Sequence, residues 1–105
     1  MKHDARRGDV WMMDLGIAAK VRPCLLLTDY PAPDELAMIT ILPHTTALRG
    51  TRWEVSLSLN FLQPGAFHLQ QIQSVPLSML MRRLGVLSDA DYTLILDRLA
   101  ERLSI

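Results

Sequence analysis

The sequence predicts a mainly β, α+β fold: five or six short strands in a small, strongly bent sheet or barrel, with one C-terminal helix packed on it. Three observations carry this. Short apolar runs recur between turn signals, Trp53–Leu59 alternates with period two, and only the end of the chain shows a sustained helical stripe. Long helices between the strands, the mark of a doubly wound parallel sheet, are missing.

Taken in order, Gly8-Asp9 opens the first run, Val10–Leu15. Val21–Leu27 reads as a buried strand interrupted only by Arg22 and Pro23; proline there suits the beginning or edge of a strand, because it cannot donate to the ladder. Tyr30-Pro31-Ala32-Pro33-Asp34 is a turn by composition, and Ala37–Leu42 is another apolar strand, ended by Pro43. Trp53, Val55, Leu57 and Leu59 alternate with Glu54, Ser56 and Ser58, the pattern of a half-buried strand with one wet face. Gln63-Pro64-Gly65 turns the chain into Ala66–Ser74, a fifth strand carrying several polar residues. Pro76 begins a short helical or irregular stretch through Met81, and Leu84–Leu87 forms a last short strand. Ser88 is an N-cap with Asp91 three residues on, and Tyr92, Ile95, Leu96, Leu99 and Leu103 make one apolar stripe.

With 105 residues, half of them hydrophobic, the chain supports one domain spanning 1–105. Eleven basic side chains against eleven acidic ones exclude a protein that coats nucleic acid by bulk charge, though not a local basic groove. Disorder is disfavoured by the apolar content, and no stretch approaches the roughly 18–20 uninterrupted apolar residues of a membrane span. Cys24, the one cysteine, has no intramolecular disulfide partner, and the opening MKHDARRGD has no apolar signal core, so a cytoplasmic location is expected.

Phosphate-binding loops, dinucleotide turns, nucleophile elbows and HExxH are absent. His3, His44 and His68 lie far apart, with no cysteine or carboxylate at ligand spacing, so neither a metal site nor a cofactor is expected. Cys24, between Pro23 and Leu25, reads as a small buried hydrophobe. Three features remain. Arg22 enters an apolar strand, where it needs a salt bridge or a bound anion. Pro43-His44-Thr45-Thr46 sets hydroxyls directly after a buried strand, as turn caps often do. His68, Gln70, Gln71 and Gln73 fall in a segment that should be apolar on one face, and alternation sets His68 and Gln70 together.

Together these segments resemble the MazF/PemK family of toxin ribonucleases from bacterial toxin–antitoxin pairs. Arg7-Gly8-Asp9-Val10-Trp11 with Asp14-Leu15-Gly16 is similar to the family's opening RGDVWxxDLG, and Arg22-Pro23-Cys24-Leu25-Leu26-Leu27 to its RPvLvv strand. Leu42-Pro43-His44-Thr45-Thr46 stands where the family has vPlTs; Gln70-Gln71-Ile72-Gln73-Ser74-Val75 resembles its DQIRTV, and Arg82-Arg83-Leu84-Gly85-Val86-Leu87-Ser88 its RriGrLs.

The resemblance implies a small SH3-like barrel, a homodimer and a cognate antitoxin. It also implies metal-independent cleavage of single-stranded RNA through a 2′,3′-cyclic phosphate and a free 5′-hydroxyl. The family's principal catalytic pair maps to Arg22 and Thr45. Contacts to RNA are expected from Arg6, Arg7, Lys20, Thr46, Arg49, Arg52, Gln70, Gln73, Arg82 and Arg83, with a surface salt bridge as the alternative for any one of the basic residues. Two ionisable family positions are neutral amides here, Gln70 and Gln73, so His68 is the expected acid or base, with a satisfied or exposed histidine as the alternative. The connection Gly16–Val21 is shorter than the family's usual loop. Leu77, Met79, Leu80 and Met81 exceed what one short turn buries, which favours a homodimer. The competing functions are a weak or inactive relative that binds gyrase, as CcdB-type toxins do, and a protein that only holds an antitoxin.

Overall fold

A computed structural model describes residues 1–16 and 20–105, so residues 17–19 of the short Gly16–Val21 connection lie outside the described residues. Among the described residues there are seven strands: β1 (Asp9–Asp14), β2 (Val21–Leu26), β3 (Met38–Thr45), β4 (Glu54–Val55), β5 (Ala66–His68), β6 (Gln73–Pro76) and β7 (Leu80–Val86). Helix α1 (Asp89–Leu103) follows them, and short 3-10 turns occupy Lys2–Asp4, Leu69–Gln71 and Leu77–Met79. All pairings are antiparallel, in the order β4-β5-β3-β2-β1-β7 with β6 also on β3. The architecture is the mainly β fold with a C-terminal helix expected from the sequence. It is a bent, open sheet; among the described residues no ladder joins β4 to β7 to close a barrel.

Strand alternation divides the core in two. Trp11 and Met13, Cys24 and Leu26, and Ile39 and Ile41 face one side with Ala5, Val75 and Leu80. Val10, Leu25 and Leu42 face the other with Val55, Phe67 and Leu69, and α1 covers them through Ile95 and Leu99. Because β1, β2 and β3 bury both faces, they read in the sequence as nearly continuous apolar runs.

Four sequence expectations are corrected. Pro43 does not end the third strand, which continues through Thr45. The Thr40 carbonyl accepts from the Leu27 N–H on the β2 side, so by alternation the missing N–H of Pro43 falls on the opposite edge. There β3 changes partner from β6 at Ile41 to β5 at His44, so no donor is lost from a ladder. Trp53–Leu59 keeps its alternating burial but forms a strand only at Glu54–Val55, because its partner β5 is three residues long. Ala66–Ser74 divides at the Leu69–Gln71 turn, which cancels the shared face proposed for His68 and Gln70. The last strand begins at Leu80, earlier than expected, and stops at Val86.

Helix α1 starts as expected: the Ser88 hydroxyl accepts the Asp91 N–H at 3.1 Å. Of its stripe, Ile95 and Leu99 are buried and Tyr92 half-buried, while Leu96 and Leu103 stay exposed. Of the residues cited for a dimer, Leu80 is consumed by the core, Leu77 and Met79 pack partly against it, and Met81 is 53% exposed.

A buried carboxylate ties the N-terminal segment to the sheet. Asp9 is 3% exposed, and its Oδ2 accepts from the Arg6 N–H at 2.9 Å, the Trp11 indole at 3.1 Å and Arg83 Nε at 3.1 Å. Arg83 also donates to the Asp4 carbonyl at 2.7 Å and lies over the Trp11 ring. Replacing Asp9 by alanine strands a buried indole N–H and a backbone N–H together. Urea unfolding of Asp9→Ala should show a loss of about 3 kcal/mol, against less than about 0.5 kcal/mol for Asp4→Ala, whose ion pairs are exposed.

Candidate active site

The sheet carries a cleft of about 470 Å³ on the α1 face, beyond the end of the apolar core. Its floor follows one transverse row. Arg82 of β7 stands opposite Met12 of β1, and Met12 opposite Pro23 of β2. Extending the β2–β3 register one residue past Cys24 and Pro43 brings His44 opposite Pro23, and His44 in turn pairs with Phe67. Lys20, Val21 and Arg22 form one rim, Thr45 and Thr46 another, and Phe61, Leu62 and Gln63 come in from the segment before β5.

The charged side chains lining this cleft are Lys20, Arg22 and Arg82, all cationic, with no carboxylate among the lining residues. A lining that combines guanidiniums, an ammonium and hydroxyls suits an oxyanion such as a phosphodiester. Thr45 Oγ1 accepts the Ala47 N–H at 3.0 Å, a bond that orients the hydroxyl and does not use its proton. Gly65 allows the close passage that sets this rim. A Cβ at Gly65 would lie 2.2 Å from the Thr45 carbonyl oxygen and 2.7 Å from His44 Cε1.

His44 is 5% exposed, with its ring edge-on to Phe67 at a centroid distance of 5.0 Å. Burial lowers its pKa from the ordinary value and favours the neutral imidazole. Burial also pushes the Cys24 thiol up to about 12, despite the opposing pull of Arg22, so Cys24 is an inert core group, as its sequence context predicts.

The cleft therefore gathers Arg22, Thr45, Lys20, Thr46 and Arg82 from the residues singled out in the sequence. The others lie elsewhere. His68 ends β5 opposite Glu54, outside the cleft lining, with its Nδ1 buried and without a hydrogen-bond partner. Gln70 is exposed in the Leu69–Gln71 turn, and Gln73 donates to the Gln71 carbonyl at 3.3 Å. Arg83 is committed to Asp9, and Arg6 to the carbonyls of His3 and Ala5. Arg7 lies by Asp29, whose carboxylate accepts its backbone N–H. Arg52 lies 4.6 Å over the Trp53 ring, where Arg98 and Arg102 of α1 also gather. Arg49 gives its backbone N–H to Glu54, and that bond heads the causes holding the Glu54 carboxyl below its usual range.

Sequence reasoning passed over His44, Met12 and the Phe61–Gln63 segment. The signal for His44 was present: it stands two residues beyond Leu42 and shares its face. Treating Pro43 as the strand's end concealed that relationship. The Phe61–Gln63 contribution depends on loop packing, which has no periodic trace. Among the described residues, no three His, Cys, Asp or Glu side chains are grouped to hold a metal ion, and no helix is long and apolar enough to cross a membrane.

Comparison with known proteins agrees with this arrangement. The family described as PemK-like, MazF-like toxin of type II toxin–antitoxin system matches residues 6–103. The probable endoribonuclease MazF5 of Mycobacterium tuberculosis is 32% identical over 91 residues, covering 79% of this chain and 78% of its own. Among solved structures, the Mycobacterium tuberculosis toxin MazF-mt6 is similar with a TM-score of 0.75 at 26% identity, covering 92% of this chain and 97% of that one. A MazE–MazF complex from Deinococcus radiodurans reaches 0.79 at 18% identity, covering 95% of each chain, a likeness of fold. With the family's pattern matched over nearly its whole length and the matching fold around an arginine–threonine cleft, this chain belongs to the PemK-like, MazF-like toxins of type II toxin–antitoxin systems.

Proposed function

We propose that this chain is an endoribonuclease that cuts single-stranded RNA in the cytoplasm without a metal cofactor, leaving a 2′,3′-cyclic phosphate and a 5′-hydroxyl. The observation that carries this is the cleft itself: Arg22, Lys20 and Arg82 line it together with Thr45 and Thr46, with no carboxylate among its described lining residues. RNA brings its own nucleophile, the 2′-hydroxyl, so the protein must orient it, move a proton and stabilise the charge that grows on phosphorus. Arg22 offers paired donors to two phosphate oxygens, and the free Thr45 proton can reach a third. Lys20 and Arg82 hold flanking phosphates, while Arg83 and Arg52 contribute less because they are engaged with Asp9 and Trp53.

The partners in this reading are single-stranded RNA, a cognate antitoxin that inhibits the cleft, and a second copy of the chain. MazF5 is named an endoribonuclease, and a mycobacterial endoribonuclease of similar fold was solved with its cognate antitoxin, which supports both the activity and that partner. Exposed Met81 and Val86 on β7 supply apolar surface for a homodimer.

With mixed-sequence single-stranded RNA and EDTA present, the wild-type chain should cleave. Arg22→Ala and Thr45→Ala, folded by circular dichroism, should each lose about 100-fold or more in rate. No cleavage by the folded wild-type protein at high concentration would overturn the proposal. Gly65→Ala should destabilise the fold by roughly 1–3 kcal/mol in urea titration, because its Cβ meets backbone that cannot give way. By moving the Thr45 rim, it should also lower cleavage in whatever fraction stays folded.

A further inference from the structure

We propose that His44 is the base that takes the 2′-hydroxyl proton during cleavage. This deepens the ribonuclease proposal and rests on it. A base is otherwise missing from the cleft. A guanidinium keeps its proton, and a threonine hydroxyl is too weak to accept one, so Arg22, Arg82 and Thr45 can bind charge but cannot receive this proton. His68, the histidine that sequence alternation favours, lies outside the lining. His44 stands in the floor of the cleft and directly precedes Thr45.

Its surroundings suit the task. The Phe67 edge fixes the ring plane, and Gly65 brings backbone within contact distance of Cε1, so the imidazole is held rather than free. A buried imidazole between Pro23 and Phe67 costs more than the leucine that the family pattern carries there, unless its nitrogens meet polar groups. The cleft is the opening through which a substrate hydroxyl reaches them. The charged groups lining the cleft are Lys20 from the rim, Arg22 from β2 and Arg82 from β7, all cations, while burial is what lowers the His44 pKa. On β5, His68 follows Phe67 and so points to the other side of the strand, toward its partner position Glu54 on β4.

The chemistry balances without an oxidant or a reductant. The 2′-hydroxyl proton passes to His44, and the 2′-oxygen forms its bond to phosphorus as the bond to the 5′-oxygen breaks. The departing 5′-oxygen takes a proton from solvent.

Single-turnover cleavage of mixed-sequence single-stranded RNA, with EDTA, between about pH 5 and pH 8 tests this. The wild-type rate should rise with pH as His44 loses its proton and level off above it; the lowered pKa puts that rise below the ordinary histidine value. His44→Gln and His44→Leu, checked for folding, should be slower by about 100-fold or more and lose the rise, and added imidazole should restore part of the rate of His44→Ala. A variant that cleaves within about 3-fold of wild type with the same pH dependence overturns the role of His44 while leaving the ribonuclease proposal standing. A wild-type profile flat through the acid range overturns it even if no His44 variant folds. A wild-type protein that cuts no RNA removes both proposals.

Discussion

The buried Asp9 carboxylate is the interaction on which the arrangement of the cleft depends. One oxygen holds the N-terminal segment through Arg6, the first strand through Trp11 and the last strand through Arg83. Neighbouring residues of a strand point to opposite faces, so fixing Arg83 beside Asp9 and Trp11 turns Arg82 to the other side, above Met12 and into the cleft. A structural arginine thereby positions one that lines the cleft. The sequence Arg-Gly-Asp-Val-Trp has its counterpart in Arg82-Arg83, more than seventy positions away, and neither is interpretable alone.

The opposite rim is set by steric allowance. β3 must serve β2 on one edge and two successive strands on the other, and Pro43 occupies the change of partner, where a donor is not required. Immediately beyond it His44 and Thr45 emerge at the cleft, and Gly65 lets the returning chain pass against them. Core packing continues directly into the site: Leu42 and Phe67 belong to the apolar cluster, and His44 follows Leu42 on the same face while touching Phe67. Such a site moves little, because its floor shares the rigidity of a close-packed interior.

The fold class was legible because it rests on periodicity and punctuation, which are local. β1, β2 and α1 with its Ser88 cap fall close to where the pattern predicts them. Strand length was less legible, since it depends on the partner: Trp53–Leu59 has the alternation for seven residues and a neighbour that supports two. Within the site, Arg22 and Thr45 were visible through motif resemblance, and Lys20, Thr46 and Arg82 accompany them into the cleft. His68 and His44 show the limit of one-dimensional alternation. A 3-10 turn after His68 ended the strand on which its assignment relied, whereas a proline that seemed to stop a strand left His44 inside one.

Equal numbers of acidic and basic residues conceal an uneven distribution. Arg83 is neutralised by Asp9, Arg98 meets Glu101, and Glu54 fastens the backbone of Arg49 and Thr51. Lys20, Arg22 and Arg82 line one cleft with no carboxylate among its described lining residues, so three of the eleven cations are gathered there. A protein charged in this manner has little bulk attraction for polyanions and a concentrated attraction over the length of a few phosphates. The uncharged part of the lining, Met12, Phe61, Leu62 and Gln63, sets apolar and amide surface beside those cations, so the cleft is shaped by packing as much as by charge.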